Sequence, residues 1–237
     1  MSKKSCLIIA CVTVILLCSG LFYFTFLWYR AWHRTPEEIE ASEIKRMQRS
    51  IEDSRETGRL VLFPDFWYAA PEFYATKQFK MIRDLKGIRS FECCGYLKVP
   101  VSAESVAAIS TLTDLEEIHL MNMLFEDQAL LALQDLPKLG KISFYGCTVD
   151  IASLKHIGQF EQVESLTFLC PIPFTGSNET VHHIDSELQR QYVESLCLFK
   201  HLKNLHLQEF FRSDDEALKQ HLPDTNITFE ERGIDIP

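Results

Sequence analysis

Three residues whose side chains commonly bind zinc lie close together in the sequence, at His182, His183 and Asp185. A zinc ion on such ligands could support a metal-dependent hydrolase. Adjacent histidines point in different directions, however, and no further ligand follows at a characteristic spacing. We therefore assign no metal, cofactor or catalytic residue, and we keep a membrane-tethered hydrolase that uses these histidines as an alternative.

The sequence lacks the motifs of the common enzyme classes. It has no GxSxG nucleophile motif, no HExxH zinc motif and no glycine-rich phosphate loop, and only nine glycines occur in 237 residues. Serine, histidine and aspartate are present without the spacing of a catalytic group. We therefore expect no enzymatic activity.

A repeated apolar pattern predicts the elements that position the side chains. Residues 139–147 fit L-x-x-L-x-L-x-x-N/C, with Leu139, Ile142, Phe144 and Cys147 at the fixed positions. Four other stretches share this frame, and successive stretches begin 27, 24, 24 and 39 residues apart. The last interval indicates an insertion of about 15 residues, near positions 172–190. The four sets are Ile88/Phe91/Cys93/Tyr96, Leu115/Ile118/Leu120/Met123, Val163/Leu166/Phe168/Pro171 and Leu202/Leu205/Leu207/Phe210.

Over roughly residues 80–230, the chain resembles leucine-rich repeat proteins in both this pattern and its period. The resemblance implies an α/β solenoid of about five repeats, with parallel strands on a concave face and helices on a convex face. In that family an Asn or Cys at the ninth position bonds neighbouring backbone turns, and only Cys147 keeps it. We therefore expect a short and irregular array.

The repeat frame also predicts which side chains face a partner, because side chains alternate across a strand. One outward column includes His119 and His206, and the next contains Met121, Tyr145 and Leu169. An aligned apolar row on a solvent face can form a contact patch, with tyrosine as its anchor. An insertion or a terminal cap could instead cover this row. The predicted partner-binding residues are Met121, Tyr145, Leu169, His119, His206 and, in the insertion, Phe174.

The first part of the chain predicts one membrane crossing. Residues Ser5–Tyr29 carry no charged side chain, and a helix of that length reaches about 37 Å, enough to cross a hydrocarbon core of about 30 Å. Trp28 and Trp32 are placed as interfacial aromatics. A signal peptide ending near Cys18 is the competing interpretation. The short basic head favours a signal anchor with the C-terminal domain on the non-cytoplasmic side, although the basic residues after the span favour the opposite orientation.

The rest of the chain divides into three predicted parts. Thr35, Pro36 and Glu38 form a helix start, and Gly58 is a natural stop, so we expect a charged helical stalk or solvated spacer. A segment rich in aromatic residues follows and is expected to cap the first repeat. The predicted divisions are 1–34 for the anchor, 35–58 for the stalk, 59–84 for the cap and 85–237 for the repeat domain, which ends in a C-terminal cap.

Charge and cysteine content limit the classes of partner. The first 34 residues hold four of the 24 Lys and Arg and none of the 33 Asp and Glu, so the remainder carries a formal charge of −13. Such a balance disfavours nucleic acid and anionic lipid surfaces as partners.

The repeat frame places Cys93 and Cys147 at buried positions, where they fill space as small apolar side chains. A disulfide between repeats is a second interpretation of the cysteines. We predict a protein-binding or scaffolding module with an unidentified protein partner; the remaining alternative is a structural protein that self-associates through its stalk.

Overall fold

The apolar pattern produces a sheet whose strands each turn one face towards the core. The computed structural model describes residues 35–62, 78–95, 101–126, 128–169 and 186–230. Within these residues, seven strands form one sheet in which all neighbouring strands are parallel and strand order follows chain order. The strands are β1 (Arg59–Leu62), β2 (Ser90–Cys94), β3 (Glu117–Met121), β4 (Lys141–Tyr145), β5 (Ser165–Leu169), β6 (Asn204–Gln208) and β7 (Asn226–Glu230).

Helices separate the strands along the chain and make the fold α/β. Ser102 and Asp150 begin two of these helices, because their side-chain oxygens accept the amides of Ser105 at 3.3 Å and Ser153 at 2.8 Å. The α-helices are α1 (Pro36–Thr57), α2 (Gln78–Met81), α3 (Ala103–Ile109), α4 (Ile151–Ile157), α5 (Ser186–Leu196) and α6 (Asp215–His221), and the 3₁₀ helices are Ala129–Asp135 and Glu209–Asp214.

The five stretches predicted from the sequence align in register. Ile118 of β3 lies opposite Phe91 of β2 and Ile142 of β4, and all three side chains are fully buried. The next apolar column runs in the same way from Cys93 to Leu207. The repeat-like parallel arrangement is therefore confirmed.

One backbone carbonyl in each unit connects it to the next unit. The Glu116 carbonyl accepts hydrogen bonds from the amides of Gly140 at 2.9 Å and Lys141 at 3.1 Å. The carbonyls of Arg89 and Glu164 each accept two amides of the following unit in the same way. These paired bonds hold the start of each strand beside the start of the strand before it.

Aromatic rings fill the core beneath β5. The Phe168 ring meets Phe144 edge-on, with centroids 6.2 Å apart, and lies 5.7 Å from Tyr192 of α5 and 6.3 Å from Phe211 of the second 3₁₀ helix. The Tyr192 hydroxyl donates to the Val149 carbonyl at 2.8 Å, so its polar end is satisfied inside the core. This cluster joins the sheet to the elements that precede and follow β6.

The helix α1 follows the start and stop signals in the sequence. The Thr35 hydroxyl accepts the Glu38 amide at 3.2 Å, and the Glu38 carboxylate accepts the Thr35 amide at 3.1 Å, which is a capping box. Gly58, with φ of 70°, follows its last residue. Met47 is 4% exposed and belongs to the apolar core. The C-terminal part of α1 thus packs onto the folded domain, which differs from the solvated spacer expected from its charged surface.

Several sequence predictions concern residues outside the described part of the chain. Phe79 is the aromatic residue of the predicted cap that the structure describes; it is fully buried, with its ring centroid 6.5 Å from that of Phe91. No helix in the described ranges combines the length and the apolar character needed to cross a bilayer. The predictions that lie outside the described residues include the span Ser5–Tyr29 with Trp32, the repeat positions Tyr96 and Pro171, and Phe174, His182, His183 and Asp185 of the insertion.

The prediction that two cysteines are buried is confirmed. Cys93 and Cys147 are both fully buried. The Cys147 thiol donates to the Leu120 carbonyl at 3.2 Å, which belongs to the preceding strand. Cys94, Cys147 and Cys197 are free thiols.

We expect Cys147 to resist alkylation in the folded protein, whereas the partly exposed Cys197 reacts. Burial raises the pKa of the Cys147 thiol to about 12, from an ordinary value of 9.0, and only the thiolate is an efficient nucleophile. The thiol therefore adds stability that is present below pH 9 and is lost as the pH rises towards 12. Brief iodoacetamide treatment at pH 8 and peptide mapping would test this; equal labelling of both cysteines would contradict it.

Candidate functional site

The side of the sheet away from the core carries the first and third residues of each strand, and the fifth residue of β2 to β7; we call it the outer face. In β3, Glu117, His119 and Met121 lie on this face and are partly exposed, whereas Ile118 and Leu120 are buried in the core. Polar and apolar residues alternate along β3, and successive side chains of a strand point to opposite faces of the sheet, so the polar residues share the outer face. The outer face is where partly exposed side chains of several strands stand side by side.

A cleft of about 410 Å³ lies on the outer face across strands β1 to β4. Met121 and Tyr145 are direct cross-strand partners and form its apolar part. Charged and polar side chains of the first three strands form the rest. The lining residues of this outer-face cleft are Arg59, Ser90, Glu92, Glu117, His119, Met121 and Tyr145.

Charged groups of the cleft hold one another in place. Arg59 and Glu92 form a hydrogen-bonded ion pair between β1 and β2. The hydrogen bond from the Arg59 guanidinium to Glu92 raises the pKa of Arg59. Glu117 lies 3.5 Å from His119 Nε2 and 3.5 Å from the Lys141 ammonium. The charges of Arg59 and Glu92 balance each other, and Glu117 adds a carboxylate that faces His119 and Lys141.

The Glu117 carboxyl is kept ionised by its neighbours. Partial burial raises its pKa, but a hydrogen bond from Ser90 and the charges of Lys141 and His119 outweigh burial, so the pKa is lowered overall. An ionised carboxylate beside an apolar surface is a suitable acceptor for a cationic or amide group. The cleft thus combines an apolar side with a fixed negative charge.

The predicted apolar row is not uniformly exposed. Leu169 follows Tyr145 across the β4–β5 pair but is only 4% exposed, and Cys94 at the other end of the row is 3% exposed. Met121 and Tyr145 between them are partly exposed. Strand alternation determines which face a side chain occupies, but it does not determine how much of that face other parts of the chain cover.

Ser143 on the outer face is also buried, with an exposed fraction of 0%. Its hydroxyl oxygen has no hydrogen-bond partner within the described residues. Ser143 lies between His119 and Thr167 in the central column of the face. It does not line the cleft, and the apolar and charged cleft residues remain the accessible part.

His206 is remote from the cleft, because β4 and β5 separate its strand from that of His119. Its ring lies between two side chains of β7: Nδ1 is 2.8 Å from the Thr228 hydroxyl, and Nε2 is 2.9 Å from the Glu230 carboxylate. His206 therefore connects the last two strands. Its role in partner binding stays a prediction, as does that of Leu169.

The structure brings together three of the predicted residues, His119, Met121 and Tyr145, and adds others that the sequence did not single out. Glu92 shares the column of His119, so the repeat frame could have identified it. Arg59 could not be found in this way, because β1 lies before the first recognisable repeat.

A second groove, of about 660 Å³, runs along the beginnings of the strands. Its charges are largely paired: Lys138 lies 2.7 Å from Asp114, and Lys203 lies 2.7 Å from Glu164. Within each exposed pair the opposite charges neutralise each other. The residues that line the groove include no large apolar side chain that could anchor a partner. This groove is therefore a weaker candidate than the outer-face cleft.

Within the described ranges, no three His, Cys, Asp or Glu residues are grouped so that they could hold a metal ion. The histidines of the insertion are outside these ranges. No family model matches the chain, and no curated protein is significantly similar to it.

Proposed function

We propose that this protein is a membrane-anchored leucine-rich repeat protein that binds a protein partner through the outer-face cleft. The observation that carries the proposal is the pair Met121 and Tyr145, which are adjacent, partly exposed and bordered by charged side chains. Aromatic residues and methionine are enriched in the centres of protein interfaces, with polar residues around them.

The parallel sheet supports the assignment to leucine-rich repeats. Its central strands start 24 residues apart, at Glu117, Lys141 and Ser165, and each pairs with its neighbours in sequence. Cys147 occupies the consensus Asn/Cys position, and its thiol bonds the Leu120 carbonyl of the unit before it. This is the kind of contact that the family resemblance implies at that position.

The chemistry of the cleft suits a partner segment that carries a basic residue next to an apolar one. The basic side chain would lie against Glu117, whose carboxylate is ionised, and the apolar side chain would pack against Met121 and Tyr145. The acidic balance of the chain after residue 34 favours the same partner by long-range attraction. Binding should therefore weaken as the salt concentration rises.

We expect Tyr145→Ala to weaken partner binding by roughly 1 to 2 kcal/mol or more, because the ring supplies most of the large, rigid contact area in the cleft. Candidate partners would be captured with the wild-type domain, and affinity would then be measured by titration calorimetry. Thr167→Ala, on the outer face but away from the cleft, is the matched control and should retain affinity. Full affinity in Tyr145→Ala would move the binding site away from this cleft.

The proposed anchor is the uncharged segment Ser5–Tyr29, with the folded domain on the non-cytoplasmic side. We expect the full chain to remain in the membrane fraction after carbonate extraction and to need detergent, whereas a chain starting at Thr35 is soluble. Fractionation of both proteins from the same cells would test this. Recovery of the full chain in the aqueous fraction, or a mature N-terminus beyond Cys18, would contradict a single span.

A further inference from the structure

The two edges of the sheet differ in how their backbone groups are satisfied. At β1, the Gly58 carbonyl accepts the Arg89 amide at 2.8 Å, so Arg59 and Val61 point their backbone groups away from β2. The Thr57 hydroxyl accepts the Arg59 amide at 3.1 Å and lies 3.2 Å from the Arg59 carbonyl. The Ser50 hydroxyl donates to the Val61 carbonyl. Side chains of α1 therefore satisfy three of the four outward backbone groups of Arg59 and Val61 and cover most of this edge.

The edge at β7 has no comparable cover among the described residues. The Asn226 amide donates to the Lys203 carbonyl at 2.8 Å, so Asn226 faces β6 and, by alternation, Ile227 and Phe229 face outwards. Within the described part of the chain, nothing hydrogen-bonds to the outward amides and carbonyls of these two residues. Such an edge is a template for another strand.

The apolar layer is also incomplete at β7. Ile227 and Phe229 occupy the positions of Leu205 and Leu207 in β6, which are fully buried, yet both are partly exposed. The Arg212 guanidinium lies 5.3 Å from the Phe229 ring centroid and covers part of that ring. An additional strand would complete both the hydrogen-bond ladder and this layer.

We propose that β7 pairs with β7 of a second copy of this chain, antiparallel, about a two-fold axis at Thr228. In that register Ile227 lies opposite Phe229 of the second copy and exchanges both backbone hydrogen bonds with it. On the outer face, Thr228 lies opposite its own copy, and Asn226 lies opposite Glu230. Apolar residues meet apolar residues, and no like charges face each other directly.

The charge pattern favours this register over parallel pairing of the same strands. A parallel, in-register pair would place Glu230 opposite Glu230, which is repulsive. The two-fold arrangement is also closed, because each copy uses the same strand. The chain carries a formal charge of −9, so the copies repel at long range and the dimer should tighten as salt is added.

Cysteine cross-linking of the full chain in detergent tests the register directly. Thr228 would face its own copy in a pair that exchanges no backbone hydrogen bonds, with Cα atoms about 4.5 Å apart, which suits a disulfide. Asn226 would lie about 14 Å from its own copy along the strands. Mild oxidation should therefore link Thr228→Cys into a dimer above the wild-type background, and should not link Asn226→Cys. Equal linking at both positions, or none at Thr228→Cys, would overturn the proposal.

Two lysine substitutions provide an independent measurement with matched charge changes, since Thr228 and Asn226 are both exposed on the same strand. Thr228→Lys brings two ammonium groups together at the axis, and should raise the dimer dissociation constant by roughly threefold to tenfold. Asn226→Lys faces Glu230 of the second copy and should leave the constant unchanged or lower it. Sedimentation of the full chain gives both values. Equal losses in both variants, or a wild-type monomer that binds a different protein at β7, would contradict self-pairing.

Discussion

Replacing Phe168 with alanine should lower the free energy of unfolding by about 3 to 5 kcal/mol. The side chain is 2% exposed, and its ring contacts those of Phe144, Tyr192 and Phe211. Removing it leaves a cavity between the sheet and two helical elements that cannot collapse without moving both. The loss therefore includes the transfer of the ring and the cost of the empty space.

Urea unfolding of the protein starting at Thr35, followed by circular dichroism, would measure this loss. Ser165→Ala, in the same strand but on the outer face, should change the free energy of unfolding by less than about 0.5 kcal/mol. Phe168→Leu should fall between the two, because it retains part of the apolar volume. A stability of Phe168→Ala within error of that of Ser165→Ala would show that the aromatic cluster does not hold the elements together.

Ile118→Ala should also destabilise the protein strongly, with an expected loss of about 2 to 5 kcal/mol in the free energy of unfolding. Ile118 is fully buried between Phe91 and Ile142, in the column that runs through the middle of the core. The side chain has packed neighbours on both adjacent strands, so the loss should lie in the upper part of this range if neither strand can shift.

Thr167→Ala is the control for Ile118→Ala, because it lies on the outer face and is expected to cost less than about 0.5 kcal/mol. Unfolding curves of the two variants, measured together, distinguish core from surface positions of the repeat frame. Similar losses in both would mean that the alternation of buried and exposed positions is misassigned.

The five central strands could be predicted because their apolar spacing encodes both the strand and its buried face. The period of 24 residues places Ile118, Ile142 and Leu166 at equivalent positions, and the structure pairs them in that register. Local side-chain spacing is enough here, since each strand repeats the packing problem of the strand before it.

The strand β1 could not be predicted in this way, because Arg59–Leu62 is only four residues long and precedes the repeats. Its identity depends on pairing with β2 and on the hydroxyls of α1, which are tertiary contacts. For the same reason the sequence did not identify Arg59 as a residue of the candidate site. Leu169 illustrates a different limit, because periodicity assigned its face of the sheet but could not show that it is buried.

The connection between β3 and β4 shows a third limit. The described segment Ala129–Asp135 is a 3₁₀ helix, while the following connection contains the α-helix Ile151–Ile157. Both segments bury aliphatic residues against the sheet, such as Leu130 and Leu154. Apolar spacing over seven residues does not distinguish the two helix types, because both bring residues three positions apart to one face.

The contrast between the closed edge at β1 and the open edge at β7 gives unfolding of the monomer a direction. Each strand pairs only with the strands before and after it in the sequence, so the protein can lose structure one unit at a time from an end. Opening at the first strand must break the part-buried bond of Ser50 and the bonds of Thr57, whereas opening at the last strand breaks the exposed contacts of His206 with β7. Amide hydrogen exchange should therefore begin at the C-terminal strand and advance towards the N-terminus, with the first strands as the last protected unit.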